Sequence, residues 1–415
     1  MRLAFFGWVD EDAGSVASGN HVLLETLLQM GHEVDLFGED GFVDPSPRLQ
    51  EQPGYTHRLL RQRAVTKLVR SGRAPRSVSM KILNVLTLPL FTRRLRNLVE
   101  LCHREKPYDV MVFLGLRATC RPAALPLVAW IQGVEVEEAR ALRRRRRLII
   151  ELASVPRYML YSSYYTFDRL LGKAMTVEAD LTLCGSRWSL ASLVSSGHDP
   201  AKVAIVPYPI DVLRFAPNEE ASGGKSASSV APEILHFGRC DPRKRVDLLL
   251  AAFQLVQCHY PGSRLTIVGR PGLLPGIVKI IRGPGVTYTP HVDRHEIPKL
   301  LAHADLVVQT SESENFGSAV AEALACGVPV VVGPTNGTAD YIDPKSIVFS
   351  AYTPRAICDA ILAVVDGSSN SVEARVRRRE KVVDELSPNA VTHRFLRLVE
   401  ALVGTAHQRT GNGKQ

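Results

Sequence analysis

Two glutamates eight residues apart, Glu314 and Glu322, have the type and spacing that most suggest chemistry in this chain. Glu314 follows an apolar strand pattern in a loop, whereas Glu322 lies among alanines and a leucine in a short helical pattern that Gly317 opens. The helix begins between the two carboxylates, so unpaired backbone amides at Phe316, Gly317 and Ser318 are predicted to form a seat for phosphate. A buried carboxylate is costly without partners, which predicts a hydroxyl-rich ligand for Glu322. The alternative is a capped core helix with two solvent-facing glutamates.

The elements around this pair predict a repeated α/β plan. In the first half, strand patterns stand on either side of a helix predicted over 20–30, and a glycine-containing loop over 9–19 precedes that helix. In the second half, a strand, a loop and a helix over 246–257 repeat the order. A stretch of small residues, 218–231, separates the halves and has the composition of a linker. We therefore expect two Rossmann-like domains.

The composition is that of an ordinary globular protein. The 415 residues are 45% hydrophobic and 22% charged, which suits two or three domains with their own cores. The seven cysteines are scattered, odd in number and never spaced C-x-x-C, which predicts reduced thiols in place of a disulfide framework or a zinc site. The first apolar run is too short for a signal peptide, and no apolar run of about 18 residues occurs. These features predict a cytoplasmic location.

One segment, 54–106, makes the chain basic. It holds 13 Lys and Arg against two Glu, a local charge of +11, so the rest of the chain carries −2 of the total +9. An apolar stretch over 82–91 lies beside the basic cluster, and this combination is typical of a segment that lies on an anionic membrane surface. An equal alternative is two ordinary helices with a solvated basic face. We expect no nucleic-acid partner, because no recognised binding module accompanies the charge.

A second charged run, 135–147, begins with glutamates and ends with arginines. This order suits the helix dipole, so it predicts a solvated helix, and contact with an anionic lipid or an anionic acceptor is the alternative. Four tyrosines that follow either line an acceptor cleft or pack in a core: Tyr158, Tyr161, Tyr164 and Tyr165.

The long ordered motif around the two glutamates resembles the donor site of the family-4 retaining glycosyltransferases, which have the GT-B fold. The matching residues are Ser311, Glu314, Phe316, Gly317, Glu322, Ala323, Gly327, Pro329 and Val330. The resemblance implies an α/β, GT-B architecture in which two Rossmann-like domains face each other across a cleft. The implied parts are an acceptor domain over 1–217, the linker 218–231, a nucleotide-sugar donor domain over 232–385, a helix over 386–405 that crosses back, and a tail over 406–415.

The resemblance also implies roles for individual residues in the second half. Glu314 would hold the donor sugar, and Glu322 would hold the ribose hydroxyls. Arg239 and Lys244, which follow Gly238, resemble the pair of cations that binds the diphosphate. The implied reaction retains the anomeric configuration and uses no protein base, because the leaving phosphate helps to deprotonate the acceptor.

Other implied site residues are more scattered. His291 and Val292 lie in a stretch similar to the one that lines the nucleobase pocket. Gln132 stands at the mouth of the implied active site, where family members commonly carry histidine. Gly14 and Ser15 resemble the N-terminal loop, in which the second residue is usually glycine.

Several departures from the family pattern leave a rival interpretation open. Gln132 cannot take a proton. Pro209, Arg245 and Pro290 stand where glycine is usual. A degenerate GT-B protein that acts as a binding or regulatory subunit would tolerate these changes, and another GT-B enzyme, such as an epimerase or a phosphorylase, is a second rival. The presence of Arg239, Lys244, Glu314 and Glu322 favours a transferase.

The sequence predicts no metal and no cofactor beyond the nucleotide-sugar donor. The tripeptide Asp10-Glu11-Asp12 fits the D-x-D pattern of metal sites in another glycosyltransferase fold, but it is short and is predicted to lie far from the donor half. The expected partners are a nucleotide sugar, a hydroxyl-bearing acceptor and an anionic membrane surface through 54–106, which would place the protein at the inner membrane face. The acceptor stays open among a lipid-linked sugar, a polysaccharide and a small metabolite.

Overall fold

The structure is a computed structural model that describes residues 1–12, 14–39, 46–60, 78–115, 117–122, 125–133, 135–217, 231–342, 346–367 and 369–411. The predicted linker lies outside the described residues apart from Ala231. The same holds for 61–77 of the basic segment and for 412–415 of the predicted tail.

A parallel sheet forms the core of the first half. Its strands are β1 (Arg2–Gly7), β2 (Glu33–Glu39), β3 (Tyr55–Leu60), β4 (Val110–Leu114), β5 (Leu127–Trp130), β6 (Leu181–Cys184) and β7 (Val203–Ile205). They pair in the order β3-β2-β1-β4-β5-β6-β7. In this register Leu3 lies beside Val34 and Val110. All three are fully buried, as expected of a parallel sheet covered by helices on both faces.

A second parallel sheet follows in the other half. Its strands are β8 (Glu233–Phe237), β9 (Arg264–Val268), β10 (Val286–Thr289), β11 (Leu306–Gln309), β12 (Val330–Val332) and β13 (Ile347–Val348). They pair in the order β10-β9-β8-β11-β12-β13, so the loops after β8 and β11 leave the sheet side by side. The two sheets confirm the predicted α/β class with two Rossmann-like domains.

The helices of the first half are α1 (Ser15–Gln29), α2 (Pro47–Gln50), α3 (Val78–Glu105), α4 (Glu135–Arg144), α5 (Arg146–Leu152), α6 (Val155–Met175) and α7 (Arg187–Ser195). Those of the second half are α8 (Val246–His259), α9 (Ile277–Ile280), α10 (Ile297–His303), α11 (Ser318–Ala325), α12 (Pro354–Val365), α13 (Val372–Leu386) and α14 (Pro388–Gly411). In the described ranges, no helix is both long enough and apolar enough to span a bilayer.

The predicted loop over 9–19 is wrong in its second half, because α1 already begins at Ser15. Ala17, Ser18 and Gly19 occupy its first turns and are buried. Glycine lowers helix propensity, which made this stretch resemble a loop. Here the small side chains allow close packing, since a Cβ on Gly19 would lie 3.8 Å from the Pro209 carbonyl oxygen.

The later part of the basic segment forms the single helix α3, in which Phe91, Leu95 and Val99 recur every four residues and are all buried. Pro89 lies inside this helix. Residues 61–77 lie outside the described residues, so the alternative of two helices over 54–106 stays a prediction. At the C-terminal end, α14 continues to Gly411, so the loose tail expected from residue 406 is helical in its first part.

Aromatic packing connects α14 to the first sheet. Phe395 stacks on Trp130 of β5 with ring centroids 5.6 Å apart, and its ring lies 6.3 Å from that of Phe5 in β1. All three side chains are fully buried. The last helix therefore packs into the core of the first half.

Candidate functional site

Glu314 is the centre of a buried charge cluster. Its carboxylate accepts a hydrogen bond of 2.9 Å from Arg243 Nη1 and pairs with the Lys244 ammonium. The three side chains are only 12–15% exposed. Burial acts to raise the pKa of Glu314, but Arg243 and Lys244 outweigh it and lower the pKa to about 2. Burial lowers the pKa of Lys244, against the attraction of Glu314. Glu314 is thus an anion throughout the physiological pH range.

The sheet order explains how this cluster assembles from distant segments. Lys244 ends a short 3-10 turn, Pro242–Lys244, in the loop after β8, and Glu314 lies in the loop after β11. Because β8 and β11 are neighbours, both loops emerge at the same edge of the sheet, where open α/β sheets bind ligands. The Glu314 backbone is held by Gly337, whose amide donates to its carbonyl oxygen over 2.9 Å.

Arg243 joins this cluster to the first domain. Its Nε donates to Glu138 of α4 over 2.6 Å, and its Nη1 also donates to the Ser313 carbonyl over 2.9 Å. The predicted solvated helix over 135–147 is therefore wrong in two respects. The helix breaks at Arg145, and Arg145 pairs across the domains with Glu312. Ion pairs with the second half of the chain decide where residues 135–147 lie. Spacing within one helix does not reveal such pairs.

Glu322 lies deeper than Glu314 and has a different environment. It is 2% exposed, and its carboxylate accepts a hydrogen bond of 2.6 Å from Arg294 Nη2. Burial raises the pKa of Glu322 above 4.5, against the attraction of Arg294. The Arg294 guanidinium lies 5.2 Å above the Phe215 ring, so it is held on two sides. A protein cation thus partners Glu322, where the sequence suggested only a ligand.

Gln132 is buried on the opposite wall of the cleft. Its Nε2 donates to Asn20 Oδ1 over 2.6 Å, and Asn20 in turn donates to the Trp8 carbonyl over 2.8 Å. Gln132 Oε1 is buried and has no hydrogen-bond partner among the described residues. Gly115 lies against this oxygen, since a Cβ there would be 2.8 Å from it. One hydrogen bond therefore fixes the amide, and its oxygen can still accept another.

Asn315 ties the two domains together beside Glu314. Its Nδ2 donates to the Ile131 carbonyl over 3.0 Å and to the Tyr208 hydroxyl. Its own carbonyl accepts from Ser186 over 2.6 Å and from Ser189 over 2.9 Å. All these groups lie in or next to the first domain, so the Glu314 loop is docked against it.

The start of α11 presents backbone amides beside these side chains. Gly317 is the N-cap, with φ at 92°, and a Cβ there would meet Asn336 Oδ1 at 2.5 Å. Only glycine fits such a position without strain. Across the described ranges, the amides of Phe316, Gly317 and Ser318 donate to no protein acceptor. The amides are therefore unpaired within the described protein, and their binding of an anion stays a prediction.

Comparison with known families identifies the half of the chain that carries both glutamates. Residues 219–382 match the family Glycosyl transferases group 1. The chain carries a glycosyl transferases group 1 domain.

Curated relatives of the group 1 domain are glycosyltransferases. A D-inositol 3-phosphate glycosyltransferase from Segniliparus rotundus is 34% identical over 188 residues, which are 41% of this chain and 40% of that protein. A GDP-mannose-dependent alpha-(1-6)-phosphatidylinositol dimannoside mannosyltransferase from Mycobacterium tuberculosis is 28% identical over 43% of this chain and 47% of that protein. The chain thus spans less than half the length of these relatives.

Solved structures resemble the whole chain. Sucrose-phosphate synthase from Thermosynechococcus elongatus matches with a TM-score of 0.71 and 18% identity over 97% of this chain and 99% of that one. Anabaena HepE, in complex with UDP and glucose, matches with a TM-score of 0.63 and 15% identity over 97% and 100%. The fold is GT-B, as the motif implied.

Two cavities lie along the cleft between the group 1 domain and the first domain. The sugar-side cavity, of about 280 Å³, is lined by Gln132, Gly133, Glu137, Glu138, Trp188, Arg243, Ser313, Glu314 and Asn315. The base-side cavity is lined by Glu11, Ser18, Gly19, His21, Val22, Glu25, Arg48, Pro209, Asp211, Arg214 and Arg294. Gln132 and Glu314 therefore face one cavity together. Glu322 lies behind Arg294 and lines neither cavity, so the two glutamates do not face a common cavity.

The remaining predicted residues lie around this arrangement. Arg239 is 64% exposed and pairs with Asp241 at 3.2 Å, so its guanidinium is near Lys244 in sequence but outside the buried cluster. His291 is largely exposed, and Val292 packs partly against the core. Gly14 caps α1, with open space beside it, and the Ser15 backbone opens that helix. None of these residues lines either cavity.

Gly238 directly follows β8 and has φ at 141°, and a Cβ there would meet nothing within 4 Å. In the described chain, Arg245 is the only residue other than glycine that has a positive φ, at 52°. It takes the left-handed conformation that the family's glycine would adopt, and its guanidinium bonds Asp247 and Glu312.

The D-x-D tripeptide is not far from the donor half, contrary to the prediction. Glu11 lines the base-side cavity with Arg294, and its carboxylate pairs with Arg214 at 3.2 Å. In the described ranges, no three His, Cys, Asp or Glu side chains are arranged to hold a metal. The four tyrosines after the second charged run line neither cavity, and Tyr158, Tyr161 and Tyr165 pack against the core of the group 1 domain.

Sequence reasoning missed Arg243, Arg294 and Asn315. Asn315 stands between two motif residues, so the motif itself could have identified it. Arg243 is one of three consecutive basic residues in the loop after β8, and the sequence does not show which of them turns inward. Nothing in the sequence connects Arg294 with Glu322, because their pairing depends on how two loops fold together.

Proposed function

We propose that this protein is a retaining glycosyltransferase that moves a sugar from a nucleotide-diphosphate sugar to an acceptor hydroxyl without a metal. The observation that carries the proposal is the buried cluster of Glu314, Arg243 and Lys244, which faces Gln132 across the sugar-side cavity. Fixed charges at a domain cleft are what transfer from a charged leaving group requires.

Breaking the glycosidic bond places negative charge on the diphosphate and positive charge on the anomeric carbon. Lys244, Arg243 and Arg239 supply positive charge at the loop after β8, and the open amides of 316–318 supply hydrogen bonds. Each hydrogen bond to a charged group contributes about 1.5–3 kcal/mol. Several of them together supply the role that a metal ion plays elsewhere.

Gln132 and Glu322 take positioning roles in this mechanism. Gln132 holds a sugar hydroxyl at the reacting centre, because an amide donates and accepts hydrogen bonds but takes no proton. The acceptor hydroxyl gives its proton to the departing phosphate oxygen while its oxygen bonds to the anomeric carbon on the same face. Glu322, held by Arg294, accepts from the ribose hydroxyls.

The test of this proposal is a thermal-shift screen with UDP, GDP, ADP and their sugars in EDTA. GDP-mannose comes first, because the Mycobacterium tuberculosis relative is named as GDP-mannose-dependent. We expect one nucleotide to raise the melting temperature and its sugar nucleotide to be hydrolysed slowly. NMR should show that the transfer product keeps the donor's own anomer. No nucleotide binding would overturn the proposal, and binding without hydrolysis or transfer would favour the degenerate subunit.

We also propose that the protein works in the cytoplasm at the inner membrane surface. On α3, Leu90 and Leu101 are 64% and 54% exposed, and Arg93 and Arg94 are exposed beside them. The neighbouring helix α6 adds Met159, which is 58% exposed. Apolar side chains among cations suit an anionic lipid surface, where each cation contributes about 1 kcal/mol.

Sedimentation with anionic vesicles tests the membrane proposal. We expect the protein to sediment with phosphatidylglycerol vesicles at low salt and to be released at high salt. The double change Arg93→Glu and Arg94→Glu should abolish sedimentation, whereas Arg355→Glu, at an exposed position on α12, should not. Failure to sediment at low salt would contradict the proposal.

A further inference from the structure

The sugar-side cavity has two walls with different origins. The first domain contributes Gln132, Gly133, Glu137, Glu138 and Trp188, and the group 1 domain contributes Arg243, Ser313, Glu314 and Asn315. Since the donor belongs to the group 1 domain, the wall from the first domain is the one that meets the acceptor. Its residues therefore decide which acceptor enters.

The charges that line this cavity do not suit an anion. Glu137, Glu138 and Glu314 stand against Arg243 as the one cation in the described lining. Arg243 is already committed to Glu138 at 2.6 Å and to Glu314 at 2.9 Å. A phosphate placed against the wall from the first domain would meet the carboxylates of Glu137 and Glu138, and that wall offers no cation in its described lining, so like-charge repulsion opposes its binding.

The arginines of the second charged run do not change this balance. Arg140 pairs with Glu137, and Arg145 pairs with Glu312. Arg143, Arg144 and Arg147 are exposed and do not line the cavity. The anionic acceptor that this run suggested thus finds no described arginine of the run facing the cavity.

Two groups in the wall suit a neutral sugar. Trp188, in the first turn of α7, is half-buried and gives the cavity a flat apolar surface, on which the CH face of a sugar ring can stack. Gln132 is 9% exposed and its Oε1 is buried without a described partner. Because an unpaired buried acceptor is costly, a hydroxyl that bonds it gains free energy. Glu137 and Glu138 are further acceptors for hydroxyls.

We propose that the acceptor is an uncharged sugar or polyol whose ring stacks on Trp188 and whose hydroxyls bond Gln132, Glu137 and Glu138. Phosphorylated acceptors are excluded from this cavity. The inference rests on the proposed transferase function, since it names the acceptor class of the same site. Trp188 is the residue that sets acceptor affinity, and its effect on donor binding is much smaller.

The experiment uses the full chain and the donor found by thermal shift. It compares neutral probes with phosphorylated ones. The pairs are methyl glucoside with glucose 6-phosphate, methyl mannoside with mannose 6-phosphate, and myo-inositol with myo-inositol 3-phosphate. The readout is probe-dependent release of the nucleoside diphosphate above donor hydrolysis. We expect a neutral probe to accelerate release, with a kcat/KM at least tenfold above that of its phosphorylated partner.

Variants at Trp188 connect the effect to the wall. Trp188→Ala should raise the KM for the neutral probe at least tenfold and change the KM for the donor by a much smaller factor, and Trp188→Phe should restore most of the loss. Trp8→Ala, at another exposed tryptophan outside both cavities, is the matched control. With donor hydrolysis intact, equal or better use of phosphorylated probes, no response to neutral probes, or an unchanged KM in Trp188→Ala would overturn the inference. Absence of donor binding would instead overturn the proposed function.

Discussion

The two glutamates of the donor site lie in unlike surroundings. Glu314 accepts from Arg243 and Lys244, and its pKa is lowered to about 2. Glu322 is more deeply buried, accepts only from Arg294 among the described residues, and has a raised pKa because burial dominates. The same residue type, eight positions apart, thus carries a fully compensated charge at one end of the cleft and a poorly compensated one at the other.

The difference assigns separate tasks to the two ends. At the Glu314 end, the anion holds two cations in place before any substrate arrives, so it organises the positive charge that the diphosphate meets. At the Glu322 end, one cation leaves the carboxylate with unused hydrogen-bonding capacity, which suits ribose hydroxyls. The first end should therefore matter most for turnover, and the second for donor affinity.

The largest expected effect comes from Glu314→Gln. It would leave Lys244 as a buried cation without its carboxylate partner and Arg243 with Glu138 alone, which costs about 3–5 kcal/mol of stability. Misplaced cations should also lower kcat by about 10²–10³-fold. Urea denaturation and single-turnover kinetics measure the two losses. Glu151→Gln, at an exposed position on α5, is the matched control. A kcat within threefold of wild type would break the assignment of the Glu314 end to turnover.

Glu322→Gln should act on affinity instead. Removing charged hydrogen bonds worth about 1.5–3 kcal/mol predicts roughly 10–100-fold weaker nucleotide binding. At saturating donor, kcat should stay within a few-fold of wild type. The stability loss should be smaller than for Glu314→Gln, because neutralisation removes a buried charge that burial already disfavours. Calorimetric titration with the nucleoside diphosphate checks this, and unchanged affinity would contradict it.

The order of strands and helices and the start of the helix in the motif were predictable because they depend on local sequence patterns. The apolar run at 33–37 and the one at 127–131 correspond to β2 and β5 within two residues, since both strands are buried on a parallel sheet. The spacing in the motif correctly indicated that a helix begins between Glu314 and Glu322. Such features need only neighbours in the sequence.

The partners of the two glutamates could not be predicted in the same way. Arg294 reaches Glu322 from a loop 28 residues upstream, and Glu138 reaches Arg243 from the other domain. These pairs form because loops from different strands meet at one sheet edge and because the domains close on each other. Side-chain direction in three dimensions, which no periodicity encodes, determines which arginine turns inward.

Acidification should separate the two ends. Because burial raises the pKa of Glu322, this residue should protonate before Glu314, whose pKa is about 2, as the pH falls, so nucleotide affinity should fall while Glu314 stays ionised. Arg294→Met should move this fall to higher pH and weaken binding about three- to tenfold at pH 7. Nucleotide titrations across pH in both proteins measure the midpoint. An unshifted midpoint in Arg294→Met would contradict the role of Arg294.

The opposite pKa shifts of Glu314 and Glu322 predict opposite effects of acidification on the free energy of unfolding. A lowered pKa means that the stability from Glu314 is complete above pH 4.5 and is lost as the pH falls through that value towards 2. A raised pKa means that the folded protein takes up a proton at Glu322 before the unfolded chain does, so acidification relieves its burial cost. In urea denaturation at decreasing pH, Glu322→Gln should therefore remove the stabilisation on acidification that comes from Glu322, which Glu314→Gln leaves unchanged.

The smallest effect is expected from Arg245→Gly, which tests whether every ion pair near Glu314 matters equally. Arg245 has positive φ, which costs about 1–2 kcal/mol for a residue other than glycine, and glycine would remove that strain. The change also deletes the pairs with Asp247 and Glu312, which are partly compensated because Glu312 keeps Arg145. The opposing terms should leave stability within about 1 kcal/mol of wild type. Urea denaturation measures the sum, with donor KM as a second readout. A loss above about 3 kcal/mol would mean that the whole ionic surround, and not Glu314 with its two cations, holds this end of the cleft together.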